Sequence, residues 1–98
     1  MTNSKVAILI LNYNGFKQLG KFFLYCIESA LNVKYNVDVY VIDNGSKDES
    51  LDLLKKFDVY VINHKNNYGF VGGYNLALKK ITKRYDYLIL MNNDYIIT

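Results

Sequence analysis

Four short apolar runs, each closed by a turn of Asn, Asp or Gly, constrain this chain more than any other feature. They are Val6 to Leu11, Val37 to Ile42, Val59 to Ile62 and Tyr87 to Met91. The first is continuously apolar and rich in branched residues, as in a strand covered on both faces. The second places Val37, Val39 and Val41 on one face and Tyr40 and Ile42 on the other. Helical spacing fills the gaps. Phe16, Leu19, Phe23, Cys26, Ile27, Ala30 and Leu31 recur at steps of three and four, which predicts one helix after the first strand. Leu51, Leu54 and Phe57 mark a second helix. Ser46-Lys47-Asp48-Glu49 before it predicts a capping box, with Ser46 accepting from the Glu49 N–H and Glu49 reaching back. Gly72 and Gly73 precede a third helix with Tyr74, Ala77, Leu78 and Ile81 on its core face. The order β-α-β-α-β-α-β predicts an α/β fold. It is a three-layer α-β-α sandwich with a mainly parallel sheet, formed by residues 1–98 as a single domain.

Composition narrows the function. The chain has 98 residues, 51% of them hydrophobic and 21% charged, which excludes disordered and fibrous classes. No apolar run approaches the about 20 residues needed to cross a bilayer, so no membrane insertion is expected. The net charge of +3 comes from scattered basic residues and supports no nucleic-acid partner. One cysteine, Cys26, cannot form an internal disulfide, which fits a reducing, cytoplasmic setting. Proline is absent, and there are ten tyrosines and twelve asparagines. Genome bias explains this excess, and so does a surface built to hydrogen-bond a sugar or nucleotide.

In parallel sheets of this kind, ligands bind outside the carboxyl ends of the strands. Those ends carry Asn12-Tyr13-Asn14-Gly15, Asp43-Asn44-Gly45-Ser46, a loop leading to Gly69, Gly72, Gly73 and Asn75, and Asn92-Asn93-Asp94. A Gly-x-Gly-x-x-Gly dinucleotide fingerprint is absent after the first strand, and so is a P-loop. The acidic pair and phosphoacceptor Asp of a receiver domain are missing as well. The residues present fit a nucleoside-diphosphate sugar. Tyr13 offers a ring to stack on a base. Asp43 offers a carboxylate to accept from a ring N–H. Asp94 offers an oxygen ligand to a divalent cation that holds a diphosphate.

The runs 6–15, 41–48, 67–75 and 90–94 together resemble family 2 glycosyltransferases with a GT-A, Rossmann-like fold. The nearest likeness is to the rhamnosyltransferase-like branch, through Gly69-Phe70-Val71-Gly72-Gly73-Tyr74-Asn75. The resemblance covers nearly the whole chain. It implies strand order 3-2-1-4 and transfer of a sugar from a UDP-, dTDP- or GDP-linked donor to an acceptor hydroxyl. It implies nucleotide contacts from Asn12, Tyr13, Asn14, Asp43, Asn44, Gly72, Gly73, Asn75 and Asn92. Asp94 would bind Mg2+ or Mn2+. Asn92 and Asp94 take the first and last places of the family's Asp-x-Asp motif, with an amide replacing the first carboxylate.

The resemblance also implies that these residues form only the donor half. The acceptor surface and the general base find no counterpart, so no catalytic residue is assigned in this chain. Such a truncated chain would be inactive alone, or completed by another. An alternative is a non-catalytic assembly module with the same fold. In the order 3-2-1-4 the fourth strand is an apolar edge, so a homo-oligomer through Tyr87 to Met91 and the C-terminal tail is expected. Any membrane contact is expected to be peripheral. Cys26 reads as a core residue, His64 as a surface residue, and Lys79, Lys80, Lys83 and Arg84 as a solvated helix face. Tyr25, Tyr35, Tyr40, Tyr60 and Tyr85 are expected to pack or half-pack.

Overall fold

The computed structural model describes residues 4–98. Four strands form one sheet in the order β3-β2-β1-β4, with β1 at Val6–Asn12, β2 at Val37–Asp43, β3 at Tyr60–Asn63 and β4 at Tyr87–Asn92. Every neighbouring pair is parallel, with Ile8 opposite Val39 and Ile89, and Ile10 opposite Val41 and Met91. The expected strand order and layers are both present.

Side-chain alternation sorts the core into two halves. Ile8, Ile10, Val39, Val41 and Met91 face Phe23, Cys26, Ile27 and Ala30 of α2 (Lys21–Leu31) and Leu54 of α3 (Ser50–Leu54). Ala7, Leu9, Tyr40 and Ile42 face Tyr74, Ala77 and Ile81 of α4 (Gly69–Ile81). Burying a residue such as Leu9 or Ile10 contributes about 1.5–3 kcal/mol. A side-chain N-cap contributes about 1 kcal/mol, and no described helix has one. Packing therefore holds these helices, and the five-residue ones could not persist without it. The Tyr74 hydroxyl adds a polar tie across the sheet. It accepts from the Leu11 N–H and donates toward the Met91 and Leu9 carbonyls at 3.1 and 3.4 Å. Burial raises its pKa above the ordinary tyrosine value.

Three expectations need correction. The single helix over 16–31 is two. Gly20, at φ 58°, ends α1 (Gly15–Leu19) and starts α2. Only glycine takes that angle at no steric cost, so the direction changes while the apolar spacing continues. Second, α4 begins at Gly69, so Gly72 and Gly73 lie inside it rather than before it. Third, the capping box does not form. Ser46 turns back to Asp43, and α3 starts four residues later at Ser50.

His64 is also buried rather than on the surface. Its Nε2 donates to the Gly73 carbonyl at 3.0 Å, and its ring meets Tyr68 edge-on. Tyr40 packs fully and Tyr85 partly, whereas Tyr25, Tyr35 and Tyr60 stay at least half exposed. No described helix is long and apolar enough to cross a membrane.

Gly73 lets α4 press onto the strand ends. A Cβ there would lie 2.8 Å from both the Asn44 Nδ2 and the Leu11 Cδ1. The change Gly73→Ala is expected to destabilise the domain by about 1–3 kcal/mol, the usual cost of overpacking. Urea denaturation would show it as a lower midpoint with an unchanged slope.

Candidate functional site

The polar turns after β1 and β2 are sewn together before any ligand is considered. Asp43 ends β2 with its side chain fully buried. Its carboxylate accepts from Ser46 Oγ at 2.7 Å, the Ser46 N–H at 2.8 Å and Asn12 Nδ2 at 3.0 Å. Asn14 sits at φ 52°, in the left-handed region that Asn tolerates better than most residues. That turn aims its Oδ1 at the Lys47 and Asp48 N–H groups, while its own N–H reaches Ser46 Oγ. Ser50, also fully buried, accepts from the Phe16 N–H.

Above this floor opens a cleft of about 300 Å³ at the carboxyl ends of the strands. Leu11, Tyr13 and Phe70 give it apolar and aromatic walls. Gln18, Asn44, Asn67 and Asn93 give it side-chain amides, and Gly69 contributes the start of α4. Tyr13 is 38% exposed and Phe70 60%, so both rings are accessible. Among the described residues no charged side chain lines the cleft.

The expected site residues thus divide. Tyr13 and Asn44 line the cleft. Asn44 is almost wholly buried, donating to the Gly69 carbonyl and accepting from the Tyr68 N–H, which pins α4 to the end of β2. Asn12, Asn14 and Asp43 lie beneath, as the floor. The Asp43 carboxylate, expected to meet a base, is occupied by Asn12 and Ser46. Gly72, Gly73 and Asn75 lie along α4 outside the lining. Asn92 ends β4 with an exposed side chain, and Asp94 follows in an exposed turn. Gln18, Asn67, Phe70 and Asn93 were not singled out by the sequence reading. Asn67, Phe70 and Asn93 lie inside the runs 67–75 and 90–94, and an aromatic ring beside a glycine turn is a usable signal, whereas Gln18 carries none.

Cys26 belongs to the core, as expected. Burial pushes its thiol up to about 11, the Tyr95 backbone draws it back, and the Asp94 carboxylate raises it further. Among the described residues no three His, Cys, Asp or Glu side chains converge. The hard oxygens of Asp94 and Asn92 nonetheless suit Mg2+ or Mn2+, ions that often take one or two carboxylates and complete their shell with phosphate and water.

Residues 7–98 match the family described as glycosyl transferase family 2. The chain belongs to this family. Among solved structures it resembles S. aureus TarS 1-349 in complex with UDP-GlcNAc, with a TM-score of 0.76 and 21% identity. That match covers 92% of this chain and 26% of that one. The complex of TarS 1-349 with UDP gives a TM-score of 0.75 at 21% identity, over 92% of this chain and 27% of that one. A longer TarS structure gives 0.75 at the same identity, over 92% and 16%. The chain thus spans about a quarter of the TarS 1-349 structures. At this identity the likeness establishes the fold, a GT-A-like arrangement with strand order 3-2-1-4. No curated protein matched the sequence.

Asp48 ties the two turns by accepting from the Lys17 and Ser50 N–H groups at 2.8 and 3.0 Å. Partial burial alone would raise its pKa, but those hydrogen bonds outweigh it and hold the carboxyl below the ordinary 3.8. Its folded value lies below its unfolded one. The stability it lends is complete above about pH 5 and is lost as pH falls through the folded value. The gap in urea midpoint between the wild type and Asp48→Asn is therefore expected to be widest near neutral pH and to shrink toward pH 3.

Proposed function

We propose that this chain is the donor-binding half of a glycosyltransferase that moves a sugar from a nucleoside diphosphate to an acceptor hydroxyl. The observation that carries this reading is the cleft at the strand ends, with the accessible ring of Tyr13 on its wall, in a family 2 chain. Tyr13 stacks on the base. Asn12, Asn14, Asp43 and Asn44 hold the floor on which the nucleotide rests. Gly72, Gly73 and Asn75 lie in the early turns of α4, close to the diphosphate. UDP-, dTDP- and GDP-linked donors are all in scope, with UDP first because the TarS structures hold UDP and UDP-GlcNAc. The transferred group is a hexosyl or rhamnosyl unit.

Asp94, with Asn92 two residues before it, would hold Mg2+ or Mn2+. When bound, the ion supplies charge neutralisation for the departing diphosphate. No general base or acceptor surface is assigned among these residues. A cytoplasmic location suits the unpaired, buried Cys26.

Calorimetric titration with UDP, with and without Mn2+, tests this. Metal-dependent binding is expected. Tyr13→Ala should weaken it by about 1–3 kcal/mol, the range for base stacking on an aromatic side chain. Asp94→Asn should remove the metal-dependent part and leave the metal-free part intact. A folded protein that binds no nucleoside diphosphate would overturn the reading.

A second role rests on a separate observation. In β4, Tyr87 is 63% exposed and Ile89 and Leu90 are each 48% exposed. Tyr95, Ile96 and Ile97 continue this apolar surface. An open edge of this kind pairs readily with another strand. We propose a homo-oligomer through Tyr87 to Met91 and the C-terminal tail, and an assembly role through that edge if nucleotide binding is absent. Sedimentation should show mass rising with concentration above the 11.4 kDa of one chain. A monomer at all concentrations would exclude it.

A further inference from the structure

The turn that carries Asp94 lies outside regular structure. Asn92 ends β4, and the Tyr95 N–H closes a turn over Asn93 and Asp94 onto the Asn92 carbonyl at 3.3 Å. Residues 95–98 then run on outside any helix or strand. What holds this segment comes from other elements, and most of it from one face of α2.

Cys26 and Ser29 lie three residues apart on α2, so they share that face. The Cys26 thiol, a weak donor, reaches the Asn92 carbonyl at 3.6 Å. Ser29 Oγ has one proton and donates it to the Cys26 carbonyl at 2.9 Å. Its lone pairs are left for an incoming donor, and the Ile97 N–H supplies one at 3.0 Å. Asp94 lies between these two anchors. From the floor of the cleft, Asn12 Oδ1 takes the Asn93 amide at 3.2 Å. The segment is thus held before Asp94 and three residues after it, while Asp94 itself stays exposed.

We propose that Ser29, with Cys26 behind it, is a positioning residue for the divalent cation. The face of α2 clamps the segment from Asn92 to Ile97 and sets the Asp94 carboxylate before any ion arrives. A carboxylate on a loose turn has to be ordered as the ion binds, and that lost entropy is subtracted from affinity. Mg2+ is the more demanding case, because it requires near-octahedral geometry. Ser29 and Cys26 act only through the turn and line no part of the cleft. The inference rests on the donor-binding reading above and adds to it the residues that hold its metal ligand in place.

Ser29→Ala isolates the clamp. Ala is a better helix former than Ser, and the lost bond to Ile97 lies at the surface, so the urea midpoint should stay at the wild-type value. Hydrogen exchange at the Ile97 amide, followed without metal or nucleotide, should speed up at least about fivefold. In calorimetry with UDP, the gain in affinity on adding Mn2+ should fall at least about fivefold. The metal-free affinity should not change. Ser29→Thr keeps a hydroxyl that can bond back along the helix, and it should restore both the slow exchange and the Mn2+ gain. An undiminished Mn2+ gain in Ser29→Ala overturns the inference and leaves the donor-binding reading standing. So does a diminished gain that Ser29→Thr fails to restore. A wild type that binds UDP with no Mn2+ gain overturns the inference together with the metal assignment. A folded wild type that binds no UDP overturns the donor-binding reading as well.

Discussion

One buried carboxylate organises the ligand end of this molecule. Asp43 is sealed from water, and a charge in that position needs partners on its oxygens. It finds them in Asn12 and Ser46, which come from two different strand ends. Removing the carboxylate would strand the donors it satisfies, at about 1–3 kcal/mol for each buried group left unpaired. Against a domain stability of roughly 5–15 kcal/mol, that is a large share. The same contacts that stabilise the fold also shape the floor of the cleft, so stability and site geometry here are one set of hydrogen bonds.

Much of the fold was legible because periodicity reports burial directly. The runs at 6–11 and 37–42 became the two central strands, covered on both faces, and the Tyr74, Ala77 and Ile81 spacing became the inner face of α4. The errors arose where a partner distant in sequence or a backbone angle overruled a local pattern. The apolar spacing runs unbroken past Gly20, and nothing in it announces a φ of 58°. Ser46 carries the right neighbours for a capping box, but a buried carboxylate three residues upstream is a stronger acceptor than the cap geometry could use. His64 looked like a loop residue because its partner, the Gly73 carbonyl, lies on another element.

The site was legible to a different degree. Turn residues at the strand ends marked the end of the sheet at which the cleft opens, and Tyr13 and Asn44 line it. Asn67, Phe70 and Asn93 arrive there from separate loops and helices, so their meeting is a product of tertiary structure. Asn12 and Asp43 lie beneath the cleft for the same reason. Sequence shows a carboxylate at a strand end, and only packing shows which groups already occupy it.

The cleft itself is built for neutral chemistry. It is lined by rings and amides, and among the described residues no charged side chain lines it. Asp94 stands outside that lining, in an exposed turn after β4. A nucleoside diphosphate has the same division, with a neutral base at one end and anionic phosphates at the other. In the proposed reading the base lies among the amides while the diphosphate runs past Asn92 and Asn93 toward Asp94 and its metal. A carboxylate facing the base would have repelled those phosphates from close range, and burying Asp43 beneath Asn12 removes that conflict.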